Sequence, residues 1–225
     1  MRVNNRNSAR TPLVRLVDDD ARVRESEAFV LSIDGWETAP YESAVDFLAE
    51  DDPDRPGCIV LDVRMPEMSG LELQTELKRQ GRNLPILFLT GHGDIDMAVM
   101  ALKRGAADFV QKPITPEALQ QKVKKLVAWH VRFLRTLEER DAVREELAAL
   151  TPRELEVARL AAKGLVTREI ADMLGSSEQT VKQQRSGALQ KLGVRNAVEL
   201  AEILAIADEV PDMRFPLEEG AEASL

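Results

Sequence analysis

Cysteine is nearly absent. Cys58 is the only one in 225 residues, so no disulfide can form within the chain. That usage fits a reducing compartment such as the cytoplasm. Cys58 sits in the apolar run Cys58-Ile59-Val60-Leu61, where a buried structural thiol is expected rather than a reactive one. Histidine is scarce as well: His92 and His130 are the only two, and they do not stand at metal-ligand spacing, which argues against zinc. Long hydrophobic runs are missing, and stretches such as Cys58–Leu61 and Ile86–Leu89 fall far short of a bilayer's width, so no membrane partner is expected. Arg2, Arg6 and Arg10 are not followed by an apolar stretch, so the start reads as a disordered tail and not as a secretory signal.

Positive charge is in deficit overall. The net charge is −9, an unpromising value for a nucleic-acid binder. The deficit is uneven, however. Residues 151–195 carry eight basic side chains against five acidic ones, an excess of three positive charges. From Asp208 onward the tail holds six acidic residues against Arg214 alone and reads as disordered.

What is present in the first half is alternation. Apolar runs at Leu13–Val17, Trp36–Ala39, Cys58–Leu61, Pro85–Leu89 and Ala107–Val110 alternate with helical stretches at Ala21–Ile33, Ala44–Ala49, Leu71–Arg79, Met97–Lys103 and a long one from Pro116. In the first helix Val23, Phe29, Val30 and Ile33 are the expected inward positions. Near-continuous apolar strands between helices predict an α/β domain, a doubly wound five-stranded parallel sheet of flavodoxin-like type. The polar residues of interest all stand at strand carboxyl ends: Asp18 and Asp19 after the first, Asp62 after the third, Thr90 after the fourth and Lys112 two residues after Val110 of the fifth. They therefore converge on the carboxyl edge of the sheet. Three carboxylates gathered there need a cation, and oxygen ligands suit Mg²⁺. Lys112 supplies a point charge and Thr90 a hydroxyl for phosphoryl oxygens, and phosphoryl transfer needs little beyond positioning and charge neutralisation. Asp20 reads as the cap of the helix starting at Ala21.

Asp18-Asp19, the segment Asp62-Val63-Arg64-Met65-Pro66-Glu67-Met68-Ser69-Gly70, the segment Thr90-Gly91-His92-Gly93-Asp94 and Lys112-Pro113 together resemble the receiver domain of NarL/FixJ-type two-component response regulators. The resemblance implies that Asp62 is the phosphoacceptor and that Asp18, Asp19, Asp62 and the backbone carbonyl of Arg64 hold Mg²⁺. It also implies that Thr90 and Lys112 engage the phosphoryl group, and that Phe109 is an aromatic switch moving with Thr90. A sensor histidine kinase would be the phosphodonor. A cis Lys112-Pro113 bond belongs to the same pattern.

The second half is punctuated differently. Thr151, Pro152 and Glu154 open a helix with a capping box, and Gly164, Gly175 and Gly193 close successive helices. A short helix from Thr167, a three-residue break and a helix from Ser177 to Leu192 make a helix-turn-helix pattern. In that last helix Val181, Ala188 and Leu192 share one side. Gln179, Gln183, Ser186 and Gln190 lie opposite, with Lys182 on the flank, offering groups that can reach base edges. Leu150-Thr151-Pro152-Arg153-Glu154-Leu155-Glu156-Val157, Glu169-Ile170-Ala171, Thr180-Val181-Lys182 and Lys191-Leu192-Gly193-Val194-Arg195 resemble the LuxR-type helix-turn-helix, which implies an all-α four-helix DNA-binding domain. On that resemblance Lys182, Gln183 and Ser186 face bases, and Thr180 and Arg185 touch phosphates of double-stranded DNA with a two-fold operator. The uncommon pairs Gln183-Gln184 and Ser186-Gly187 point to an unusual operator. The helix Ala197–Ala207, with Val198, Ala201, Leu204 and Ile206, resembles the family's dimer helix.

The expected domains are thus a receiver at 11–125, a helical linker at 126–147, a LuxR-type domain at 148–207 and the acidic tail at 208–225. Across residues 116–150 Val123, Val127, His130, Leu134 and Leu137 are spaced like a heptad seam, which predicts either one long helix joining the domains and able to pair with a second copy, or an ordinary last receiver helix followed by a flexible connector. The expected function is a cytoplasmic regulator whose phosphorylation promotes homodimerisation and DNA binding. RNA polymerase is a further candidate partner. The chain is expected not to be an enzyme beyond Mg²⁺-dependent self-phosphorylation and self-dephosphorylation. A haloacid-dehalogenase-type phosphatase is disfavoured because Arg64 stands where its second Asp is needed, and Gly91-His92-Gly93 is only a fragment of a dinucleotide motif. A regulator that binds DNA whatever its phosphorylation state, or one that acts only through protein contacts, is the second alternative.

Overall fold

A computed structural model describes residues 10–91, 95–211 and 215. The expected disordered start (residues 1–9), part of the Thr90–Asp94 motif (residues 92–94) and most of the acidic tail lie outside the described residues. The chain divides into two compact units, one of Met1–Arg135 with Asp212–Leu225 and one of Thr136–Pro211. No helix among the described residues is long and apolar enough to cross a membrane.

In the first unit, strands β1 (Leu13–Val17), β2 (Glu37–Tyr41), β3 (Gly57–Leu61), β4 (Ile86–Thr90) and β5 (Asp108–Gln111) alternate with helices α1 (Ala21–Ile33), α2 (Ala44–Glu50), α3 (Gly70–Arg79), α4 (Ile95–Lys103) and α5 (Pro116–Leu147). All pairings are parallel, and the sheet order is β2-β1-β3-β4-β5. Alternate strand residues feed two cores. Val17, Ile59, Leu61, Ile86 and Phe88 join Phe47, Leu73 and Leu77 of α2 and α3 on one side. Val14, Leu16, Cys58, Val60, Leu87 and Leu89 join Leu31 of α1 and Leu119, Val123 and Leu126 of α5 on the other. Burial on both faces is why these strands read as apolar without alternation.

Arg15, the one charge inside β1, is fully buried. Its Nε donates to Asp51 Oδ1 at 2.7 Å, and its Nη2 donates to the carbonyls of Asp52 and Arg55 at 2.8 and 3.0 Å. Tyr41 Oη and the Arg82 guanidinium also donate to Asp51. A buried cation survives only when its donors are matched in this way.

Two expectations for helix faces are corrected. Phe29 and Ile33 of α1 are 69% and 66% exposed, whereas Glu27 and Leu31 are buried. The buried stripe runs i to i+4 through 27 and 31, and positions two residues away fall on the opposite side of the helix. The seam along α5 is already occupied within the chain. Val123 and Val127 belong to the second core of the first unit, and His130 is buried with Nδ1 accepting the Gly57 N–H at 3.0 Å. Only Leu134 and Leu137 remain half-exposed. Burial holds the His130 imidazole down at about 4, so it is neutral and able to accept.

The second unit holds the end of α5 and α6 (Pro152–Ala162), α7 (Thr167–Leu174), α8 (Glu178–Lys191) and α9 (Ala197–Asp208) around Val157, Ala161, Ile170, Val181, Ala188, Leu192, Leu200 and Leu204. Val143, Leu147 and Leu150 pack onto the same core. Thr151 and Glu154 form the expected capping box, and Gly175 ends α7 in the left-handed conformation (φ 57°) that favours glycine. In α9 Leu204 faces this core, so of the residues matched to a dimer helix it is Val198 and Ile206 that are exposed. Gly187 also has a packing reason. A Cβ there would lie 2.7 Å from Glu154 Oε1, the carboxylate that caps α6 and accepts from Lys191 Nζ at 2.6 Å. It serves the approach of α8 to α6.

Removing the counter-charge of Arg15 should be severe. Asp51→Ala is expected to lower stability by about 3–5 kcal/mol, the cost of stranding a buried charge, while Glu76→Ala, which breaks an exposed, solvent-screened pair with Arg79, is expected to cost far less. Urea unfolding of both variants checks this, and comparable losses would contradict it.

Candidate functional site

The strand register assembles the site. Val17 pairs with Leu61, so Asp18 and Asp62 leave neighbouring strands side by side, and the Asp62 N–H donates to the Val17 carbonyl at 2.9 Å. Thr90 pairs with Gln111, and the Lys112 N–H donates to the Thr90 carbonyl at 2.8 Å. The Lys112-Pro113 bond is cis. Lys112 Nζ reaches back across the edge, donating to Asp18 Oδ2 and, at 3.3 Å, to Asp62 Oδ1.

Asp18, Asp62 and Thr90 are buried and Lys112 is half-buried, while Asp19 is exposed. Asp62 Oδ2 accepts the Arg64 N–H at 2.6 Å, and Asp18 Oδ1 accepts the Asp20 N–H at 2.8 Å. Asp20 caps α1 as expected, accepting the Arg22 N–H at 2.9 Å. The Arg24 guanidinium donates to the Asp18 carbonyl. Burial pushes the Asp62 carboxyl above the usual range, against the pull of the Arg64 N–H and the Lys112 charge. Burial opposes the charge on Lys112, but the hydrogen bond and charge of Asp18, with the charge of Asp62, outweigh it and hold the ammonium above its usual value.

Among the described residues, no group of three or more His, Cys, Asp or Glu side chains is arranged to hold a metal ion. The Lys112 ammonium is what neutralises the two carboxylates in this structure. The donor set nonetheless fits Mg²⁺, which takes one or two carboxylates and keeps several waters.

Glu27 escaped the reading of the sequence. It is buried on the same face of α1 as Leu31, one turn nearer the site. Burial raises its pKa to about 7; Lys112 counteracts this and the charges of Asp18 and Asp62 add to it. The one available signal was an acidic residue four positions before a core leucine. Phe109 lies half-buried against the first core, its ring 6.0 Å from that of Phe88, two residues before Thr90.

In the second unit Val181 and Ala188 of α8 point inward, and Gln179, Lys182, Gln183, Ser186 and Gln190 are exposed. Arg185 and Thr180 are half-buried, and Thr180 Oγ1 lies 2.8 Å from the Oγ of the capping Ser177. A polar helix face therefore stands clear of its own core.

Comparison with known proteins matches residues 14–124 to the response regulator receiver domain and residues 148–204 to the bacterial regulatory proteins of the luxR family. The transcriptional regulatory protein FixJ of Azorhizobium caulinodans is 38% identical over 198 residues, 88% of this chain and 94% of that protein. The C4-dicarboxylate transport transcriptional regulatory protein DctR of Rhodobacter capsulatus is 38% identical over 84% of this chain and 96% of its own length. Among solved structures the response regulator StyR covers 87% of this chain and 98% of its own, at 38% identity and a TM-score of 0.76.

Folding raises the pKa of Glu27 from 4.5 to about 7, so the folded chain holds that proton more tightly. Its contribution to stability is present below the unfolded value and is lost as the pH rises through 7. Glu27→Leu is therefore expected to gain roughly 3 kcal/mol more, relative to the unsubstituted chain, at pH 8 than at pH 4. Urea midpoints at the two pH values, without magnesium, test it; an equal gain at both would contradict the assignment.

Proposed function

The chain belongs to the two-component response regulators that join a receiver to a LuxR-type DNA-binding domain, and from that membership we propose that phosphorylation of Asp62 controls its dimerisation and its hold on DNA. Its members are transcription regulators and not enzymes. The observation that carries the reading is the ion cluster: Asp62 lies at the sheet's carboxyl edge with Lys112 Nζ 3.3 Å away and Thr90 at the end of the next strand.

A partner histidine kinase presents a phosphohistidine. An oxygen of Asp62 attacks phosphorus, the P–N bond breaks and a P–O bond forms. Asp18, Asp19 and Asp62, with the backbone carbonyl of Arg64, would hold Mg²⁺, which supplies charge neutralisation for the phosphoryl oxygens. Lys112 exchanges its contact with Asp62 for a phosphoryl oxygen, and the Thr90 hydroxyl donates to another. Thr90 moves inward, and Phe109 follows because its ring lies against Phe88 on the neighbouring strand. These changes shift a pre-existing equilibrium between two receiver states. The receiver spans 11–125, the linker 126–147 and the DNA-binding domain 148–207, with the tail at 208–225. The protein acts in the cytoplasm.

Dimerisation brings two helix-turn-helix units onto a two-fold operator. The exposed Val198 and Ile206 of α9 are apolar positions available for pairing. Lys182, Gln183 and Ser186 read bases, and Thr180 and Arg185 hold phosphates, which position the protein without reading sequence. RNA polymerase is the partner downstream.

DNA selected from genomic fragments tests this. Treatment with a small phosphodonor and Mg²⁺ is expected to raise affinity about 5- to 150-fold, the usual range of allosteric coupling, and Asp62→Ala is expected not to respond. Equal binding by all three forms would leave a DNA-binding protein without phosphate control. Lys182→Ala should cost about 1–3 kcal/mol of binding and relax the preference at one base position; a loss uniform across sequences would assign Lys182 to the backbone instead.

A further inference from the structure

The carboxyl-terminal segment carries one aromatic residue. Phe215 is the only one after Phe133, in a tail from Asp208 that is rich in acidic residues. Its ring stands edge-on to Trp129 of α5, with centroids 5.8 Å apart and planes at 71°. The Trp129 ring is stacked on Phe133, at 5.3 Å and 13°. Edge-to-face and stacked pairs at such separations are the favoured aromatic geometries. Phe215 also packs against the receiver core, as Val131 and Trp36 do. Residues 121–135 of α5 carry five basic side chains and no acidic one, while the tail from Asp208 carries six acidic residues and one basic. Aromatic contact and charge thus select the same occupant for this part of α5.

The position of Phe215 in the chain gives the contact a consequence. The unit Thr136–Pro211 is entered through α5 and left just before Phe215, and both flanking segments belong to the receiver unit. We propose that the Trp129–Phe133 pair is a docking surface for Phe215 of the same chain, and that this contact restrains the DNA-binding unit at its carboxyl end and lowers its DNA affinity before phosphorylation. The restraint rests on the assignment of residues 148–207 to DNA binding, whereas the docking does not.

Two measurements separate these parts. The chain has only two tryptophans, so in a Trp36→Phe background Trp129 is the sole indole and its quenching by acrylamide reports its cover. Phe215→Ala is expected to increase that quenching, as is high salt, whereas Phe215→Tyr is expected to preserve the cover. The same Phe215→Ala chain, unphosphorylated, should bind the selected DNA about two- to tenfold more tightly, the range a single aromatic contact supports. Unchanged quenching would overturn the docking. Increased quenching with unchanged DNA affinity would overturn the restraint. The phosphorylated, unsubstituted chain is the control: if it binds no DNA, the proposed function fails and the restraint with it, while the quenching still decides the docking.

Discussion

The Lys112 ammonium lies between the carboxylates of Asp18 and Asp62, and the arrangement of the receiver half follows from the need to bring these charges together and balance them. The three residues come from the carboxyl ends of β1, β3 and β5, which are far apart in sequence. Parallel pairing is what puts those ends on one edge, and parallel pairing requires helical crossovers on both faces. Two cores, one on each face, hold the strands in register. A one-residue slip would move every strand side chain to the other face and separate Asp18 from Asp62. Glu27 shares this neighbourhood: burial disfavours its charged form, the charges of Asp18 and Asp62 add to the effect, and Lys112 opposes it.

Helix α5 meets several demands at once. Its first half completes the receiver core through Leu119, Val123 and Leu126. Its last turns contribute Leu147 to the core of the second unit. Between them Trp129 and Phe133 form the aromatic surface met by Phe215. A helix with its apolar positions committed in this way has little left for a coiled-coil partner. Any pairing of copies falls to surfaces outside that seam, such as the exposed apolar residues of α9.

Much was legible in the sequence because it is local. The apolar runs determined five strands. The capping residues Thr151, Glu154 and Ser177 and the closing glycines determined where the helices of the second half begin and end. The gathering of Asp18, Asp62, Thr90 and Lys112 at the carboxyl ends of the strands followed from doubly wound topology alone. The inward side of α8 was readable too, since Val181, Ala188 and Leu192 share one face by period.

Only the tertiary structure decided what depends on who meets whom. Phe29 and Ile33 are as apolar as core residues, yet α1 turns Glu27 and Leu31 inward, because a weakly amphipathic helix takes its orientation from the sheet it packs on. Val123, Val127 and His130 have the spacing of a seam, but one helical stripe serves a neighbouring sheet as well as a neighbouring helix, and spacing does not distinguish them. Gly187 and Arg15 look like local irregularities until Glu154 and Asp51 arrive from elsewhere in the chain. Sequence periodicity determines which residues share a face, and only packing decides what that face touches.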